Sequence, residues 1–408
     1  MLNGKNEREL AYLVKIDNIT AIPGYDRVEL AHVSGWTIVV GKGDFQIGDP
    51  AVYFEIDSKL PEVDPFIKME FLAKKKFKIQ TQKMCKSISQ GFLVAIKEFG
   101  WTMDGENVID EKGNVHSVNG ESRFLTAQLG VTYAVVEDNK RKSNSIGDKY
   151  KKMAQRHPDI FKKPLVRWLY KKNWGKKLLF VFFGKKKDKV TWPSWVVKTD
   201  EERVQNMPWI LENKDSWIAT EKIDGTSTTF TLKKGKGKNK DYFVCSRNVV
   251  FDTPEKADKC FYDSNVYLEM SEKYNMRAVL EGLMDENKNI DFVTIQGETY
   301  GKTIQKREYG LEDHNLMVFN LIFGFKDGKT LRLNPVEMTA YLKPYNVPCV
   351  PIVDSNFVLP DTVEELLAIA TGASAVDGGM REGLVFRSYD GQRSFKAVSN
   401  EFLLKYHQ

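Results

Sequence analysis

Four cysteines in 408 residues leave little room for cysteine chemistry. Cys85, Cys245, Cys260 and Cys349 lie far apart, with no Cys-x-x-Cys pair and no histidine at metal-ligand spacing. A zinc ribbon and a disulfide framework are excluded, and a reducing, cytoplasmic compartment is expected. Long hydrophobic runs are also missing. The apolar stretch Leu178–Phe183, beside the most basic region, is far too short to span a bilayer. The opening residues, MLNGKNEREL, are polar and carry no signal-peptide core. No internal repeat is present, and the only low-complexity tracts are lysine clusters.

The net charge of +6 is modest, but its distribution is uneven. Residues 139–189 hold 18 Lys and Arg against 3 Asp, a local net of +15, which leaves −9 for the remainder. So concentrated a positive field suits a polyanion. Within it, Leu165, Val166, Leu169 and Tyr170 form a helical stripe edged by cations. The simplest reading is a solvated linker helix. The stripe also suits RNA-backbone contact with aromatics free to stack, or a seat on a membrane surface. Lacking a lipidation signal, the last has least support, and no membrane partner is expected.

The length suggests two or three domains. Between Ala11 and Gly100, runs at 12–16, 28–33, 36–40, 51–56, 77–82 and 91–96 are rich in β-branched and aromatic residues, with Gly, Pro and Asp between them. Five or six short strands suit a small OB-type β-barrel, and a β-sandwich is the alternative. From about Lys198 the pattern is mixed α/β. Strands are expected around 217–232, 241–245, 291–299, 316–323 and 383–388, and helices at 255–262, 265–283 and 335–341. A strand running into a terminal helix is expected over 396–406. The overall expectation is an α+β protein, divided into residues 1–138, a basic segment 139–197, and a mixed α/β domain 198–408 with antiparallel sheets.

The chemistry gathers around Glu221-Lys222-Ile223-Asp224-Gly225-Thr226, which follows the apolar run Trp217-Ile218-Ala219. Asp-Gly is a strong turn dipeptide, and a lysine before it is equally consistent with a solvated strand end. The alternative is a lysine nucleophile that attacks the α-phosphate of a nucleotide. An amine attacks only when unprotonated, so such a site is expected to shift Lys222 downward by burial or nearby positive charge.

Other groups follow in order. Arg247 could clamp a phosphate or a sugar edge. Glu298, after Gly297, suits a ribose diol. Lys306 follows in a basic run, and Phe319 sits in an apolar strand, either as core or as a face for a base. Glu382 opens the strand Gly383-Leu384-Val385-Phe386-Arg387, where a carboxylate needs a cation. Lys396 lies inside Ser394-Phe395-Lys396-Ala397-Val398, where an amine needs an anion such as a triphosphate.

Lys222-x-Asp224-Gly225, Gly297-Glu298, Glu382-Gly383-Leu384-Val385 and Lys396 resemble motifs I, III, IV and V of the covalent nucleotidyltransferase superfamily, which holds ATP-dependent ligases and capping enzymes. Gln296-Gly297-Glu298, Ile304-Gln305-Lys306 and the upstream stretch Trp192–Asn206 resemble the RNA ligase clade with an N-terminal OB domain, known from Naegleria and Deinococcus members. The resemblance implies an OB-type nucleic-acid-binding domain before a nucleotidyltransferase domain. It implies ATP and Mg²⁺ or Mn²⁺ as cofactors, and RNA or an RNA-containing nicked duplex as partner, with RNA on the 3′-OH side. Lys222 would form lysyl-AMP, and Glu382 and Lys396 would act in catalysis. Glu221, Asp224, Gly225, Arg247, Glu298, Phe319 and Lys396 would hold the nucleotide. Glu382 and Asp224 would serve the metal. Arg203, Lys306, Lys171 and Lys172 are the expected nucleic-acid contacts, and a monomer is expected.

Two departures stand out. Many ligases carry Lys-x-Lys in motif V; here Ser394 and Val398 flank a single Lys396, with Arg393 a possible helper. Little chain follows motif V, so nucleic-acid binding is expected to rest on the N-terminal barrel. That argues against a DNA ligase or a capping guanylyltransferase. A non-catalytic OB-type RNA-binding protein is the rival of another class, and Lys222, Glu298, Glu382 and Lys396 argue against it.

Overall fold

The first strands form where β-branched and aromatic residues alternate. A computed structural model describes residues 1–134, 160, 163–183, 192–198, 200–235, 239–251 and 265–406. Strands β1 (Ala11–Lys15), β2 (Asn18–Ala21), β3 (Val28–Val33), β4 (Trp36–Gly41) and β5 (Pro50–Phe54) come first. Then come β6 (Ser58–Lys59), β7 (Gln82–Met84), β8 (Ser87–Ser89) and β9 (Phe92–Ala95). β1, β5 and β9 form one antiparallel sheet and β2, β3 and β4 another. The two-residue period divides the domain into two cores. Leu13, Val52 and Phe54 enter one, and Tyr12, Val14 and Tyr53 enter the other, where Trp36 stacks on Tyr53.

The strand expected at 77–82 is shorter than its pattern suggests. Phe77 and Ile79 are buried as expected, and residues 57–60 bond to them through Asp57 N–H, Leu60 N–H and the Ser58 carbonyl. The positive φ of Lys76 and Phe77 breaks the run, so only a bridge between Lys59 and Lys78 forms. Sequence reading missed a small sheet of β10 (Thr102–Asp104), β11 (Asn107–Ile109) and β12 (Val115–Ser117), and the two-residue β13 (Thr132–Tyr133).

In the basic segment, helices Pro164–Lys171 and Asn173–Phe183 form a hairpin with its own small core of Val166, Leu169 and Tyr170 around Leu179. Residues 139–159 and 184–189 of that segment lie outside the described residues, as does the helix expected at 255–262. No described helix is long and apolar enough to cross a membrane.

The C-terminal domain is built on two antiparallel sheets. One holds β14 (Ser216–Lys222), β20 (Ile352–Val358), β21 (Gly383–Ser388) and β22 (Ser394–Val398), in the order β20-β14-β21-β22. The other runs β16 (Lys240–Ser246), β15 (Thr226–Lys234), β17 (Ile290–Gly301), β18 (His314–Phe325) and β19 (Thr330–Arg332). The single strand expected over 217–232 is therefore two, turned at Ile223-Asp224-Gly225. The single helix expected over 265–283 is also two, Val266–Lys273 and Met276–Asp285, broken where Asn275 adopts a left-handed conformation. The expected Pro335 helix and the terminal strand-to-helix pair are present, the last helix being Asn400–Tyr406. Trp195 packs on Phe243 and Phe292 and donates to Thr231 Oγ1, so residues 192–198 lie on this domain, upstream of the border drawn at 198.

The barrel rests on this second domain. Ile88 of β8 packs with Val398 of β22 and with Leu403 and Leu404 of the terminal helix. The Leu2 N–H donates to the Asn206 carbonyl at 2.8 Å.

Candidate active site

The two C-terminal sheets diverge around a cavity of about 370 Å³. β14 is buried through Trp217, Ile218 and Ala219, and its polar residues, Thr220, Glu221 and Lys222, gather at its C-terminal end. Lys222 occupies that end, directly opposite Gly383. Alternation then selects the wall: Thr220 and Lys222 from β14, Val385 and Arg387 from β21, Lys396 and Val398 from β22. Glu298 of β17 and Phe319 of β18 face them from the other sheet.

Gly225 is required where the chain turns into β15. A Cβ there would lie 2.3 Å from the Thr299 carbonyl oxygen, a clash with backbone that cannot yield. The same turn is held from below. The Asp224 N–H donates to Tyr309 Oη at 2.8 Å, and the Gln305 side chain donates to the Gly225 carbonyl at 3.1 Å. Tyr309 carries the Arg307 guanidinium 3.8 Å from its ring centre, and buried Arg307 pairs with Asp377 at 2.6 Å.

Lys222 Nζ lies 2.8 Å from Glu382 Oε2. This corrects one expectation. Burial lowers the Lys222 pKa, but the carboxylates of Glu382, Glu298 and Asp224 together outweigh it, and the net shift is upward. In the ligand-free protein the amine is held protonated. The depressed lysine is Lys396, brought down to about 8 by burial and then by the positive charges of Lys222 and Arg203. Glu298 is pushed up to about 8, first by burial, with Glu382 and Asp224 adding like-charge repulsion against the pull of Lys222.

The remaining expected residues divide. Arg247 lines the cavity and pairs with Asp200 at its mouth. Glu221 lines it too, but its carboxylate is committed: it accepts from Ser374 Oγ and, at 2.7 Å, from the Ala375 N–H. Arg203 is inside the cavity, not on an outer face; it lies beside Lys396 in a parallel bridge, with its guanidinium 6.0 Å from the centre of the barrel's Trp36 ring. Its Nη1 is buried and has no hydrogen-bond partner among the described residues. Arg393 points elsewhere, over Trp217 and toward Asp215. Lys306 is exposed beside the cavity residue Gln305, while Lys171 and Lys172 sit on the separate helical hairpin.

Sequence reasoning missed a second polar group. Buried Arg387 donates to the Phe319 carbonyl at 2.8 Å and to Glu201 Oε1 at 3.1 Å, and Glu201 also accepts from Ser394. The signal was available: Arg387 is two residues after Val385 and so shares its face. Ser394, one of the two positions that flank Lys396, is thereby occupied in holding Glu201.

Glu298 and Glu382 line the cavity and offer it hard oxygen donors, whereas Asp224, expected to join them, is buried in the adjoining turn and is not part of the cavity wall. Among the described residues no group of three or more His, Cys, Asp or Glu could hold a metal unaided. The donor set therefore fits a divalent cation bound by one or two carboxylates and completed by substrate phosphates, the usual pattern for Mg²⁺.

Comparison with known proteins agrees with this geometry. Residues 215–407 match the RNA ligase family, and residues 10–96 match an OB-fold domain. The domain spanning residues 215–407 belongs to the RNA ligase family. Among solved structures, the whole chain is similar to Naegleria gruberi RNA ligase. A lysine-to-alanine variant of that protein with ATP and Mn is 26% identical with a TM-score of 0.63, over 98% of this chain and 99% of that one. A glutamate-to-alanine variant with AMP and Mn gives the same values. The Naegleria enzyme with pyrophosphate is 27% identical at a TM-score of 0.61, with the same coverage. No curated protein matches the chain.

Proposed function

We propose that this ligase uses ATP and a divalent cation to join RNA 3′-OH and 5′-phosphate ends, sealing nicks with RNA on the 3′-OH side. The observation that carries the reading is Lys222 Nζ, 2.8 Å from Glu382 and sharing one cavity with Glu298, Phe319, Arg247 and Lys396. In the first step the Lys222 ammonium gives a proton to water and its neutral Nζ attacks the α-phosphorus of ATP. A P–N bond forms, the bond to pyrophosphate breaks, and a second proton on the nitrogen passes to water. A 5′-phosphate oxygen of the RNA then attacks the same phosphorus, the P–N bond breaks, and the adenylate caps the RNA end. Finally the 3′-OH attacks the RNA 5′-phosphorus, a phosphodiester forms, and AMP leaves with the electron pair.

The chain's own groups divide this work. Phe319 offers a face to adenine and Glu298 a carboxylate to the ribose hydroxyls. Arg247 stands at the mouth for the sugar or a phosphate. Asp224 and Gly225 shape the turn under the α-phosphate, and Glu221 supports that turn through its bonds to residues 374 and 375. A divalent cation beside Glu382 and Asp224 would neutralise charge at the reacting phosphates. Lys396 stabilises negative charge developing on the α-phosphate. Arg203, which bridges Lys396 through the backbone and lines the same cavity, supplies the second cation that Lys-x-Lys gives elsewhere. Residues 1–138 serve as the nucleic-acid-binding barrel, with Lys306 beside the pocket as a further RNA contact.

The test is transfer of label from α-labelled ATP, with a divalent metal present, to protein that is then denatured. Wild type should be labelled and Lys222→Ala should not. Label on Lys222→Ala, or none on wild type, overturns the reading, and label from GTP alone moves it to capping chemistry.

A further inference from the structure

The helical hairpin at 163–183 plays no part in the site, yet it is the most unusual surface of the molecule. Leu165 and Trp168 are three residues apart on the first helix, and Trp174 and Leu178 are four apart on the second, so each pair shares a helix face. The rings of Trp168 and Trp174 meet edge to face at 6.3 Å, which joins the two faces into one stripe. These four side chains are 71%, 53%, 57% and 43% exposed, in the order Leu165, Trp168, Trp174, Leu178. The hairpin core around Leu179 is formed by other residues of the hairpin and leaves this stripe uncovered. Around it stand Lys163, Arg167, Lys171, Lys172, Lys176 and Lys177, and no acidic residue occurs between 160 and 187.

We propose that this hairpin seats the ligase on an anionic lipid bilayer, lying in the interface without crossing it. An exposed apolar stripe needs an apolar partner. Six cations without a counter-ion in sequence need an anionic one, and a bilayer rich in acidic headgroups supplies both at the same depth. Tryptophan and lysine are the residues that interfacial segments place at headgroup level. RNA satisfies only half of this surface. Phosphates would meet the lysines, but Leu165 and Leu178 have no role in base stacking, and the edge-to-face rings are not two parallel platforms. The sequence alone could not separate these readings, because it does not show which apolar residues of the stripe turn inward.

The experiment is flotation of the full-length protein with phosphatidylcholine vesicles, with and without phosphatidylserine, alongside quenching of tryptophan emission by brominated lipid. Expected is flotation only with the anionic vesicles, quenching on binding, and a roughly ten-fold loss of partitioning in Trp168→Ser/Trp174→Ser and in Lys176→Glu/Lys177→Glu. Self-adenylylation should be unchanged in both variants, which separates this proposal from the assignment of the active site. Absence of flotation, or flotation without quenching, overturns the proposal. So does a loss of single-stranded RNA affinity in these variants while vesicle binding stays intact, which would make the hairpin an RNA contact.

Discussion

Lys222 Nζ and Glu382 Oε2 stand 2.8 Å apart although 160 residues separate them in the chain. In the proposed reaction this pair is the resting state of the attacking amine. It keeps the amine charged until something takes the carboxylate's place, and it is why the Lys222 pKa is raised although burial alone would lower it. Reactivity at this amine should therefore increase with pH. Glu382→Gln should move the midpoint of Lys222 modification by an amine-selective reagent to lower pH. Peptide mass spectrometry across a pH series gives the midpoint directly, without requiring turnover. An unshifted midpoint would mean that Glu382 does not control the lysine.

Glu298 carries the opposite imbalance. Its folded-state pKa, about 8, lies above its ordinary value of 4.5, so the native state binds the extra proton. The stability that this proton contributes is complete below pH 4.5 and is lost as pH rises through about 8. Glu298→Gln stays neutral throughout. The ligand-free variant should melt with wild type near pH 4.5 and about 2 °C or more above it beyond pH 8. Calorimetry at the two ends of that window decides the point, and a constant offset at both would count against it.

The hydroxyl of Tyr309 accepts the Asp224 N–H and so fixes the turn that presents Lys222. Tyr309→Phe leaves a buried donor without its acceptor, at a cost of about 1–3 kcal/mol. Because the ring stays in place against Arg307, the expected effect is a lower kcat for adenylylation with little change in the KM for ATP. Equal loss in a variant of the exposed Tyr25 would show that the effect is not specific to this hydroxyl.

Much of this site could be read in the chain because a charged residue interrupts or ends an apolar run. Lys222 closes β14 and Glu382 immediately precedes β21, while Glu298 and Lys396 lie inside β17 and β22, and all four line one cavity. What escaped the sequence depends on packing between distant segments. The left-handed Asn275 divides one apparent helix because the two halves pack separately against the sheet. β20 is an exposed edge strand whose polar centre, Asp354-Ser355-Asn356, resembles a loop. The protonated state of Lys222 follows from carboxylates contributed by two other strands, and Arg203 enters the pocket only because its backbone pairs with Lys396.

Ile88 touches Val398, and Val398 is two residues from Lys396 on the same face of β22. The two domains therefore share a wall. Cutting the chain between them would not liberate a smaller, finished enzyme; it would remove one side of the strand that carries Lys396 and expose Val398 and Leu403 to water. The barrel is in this sense a structural part of the pocket.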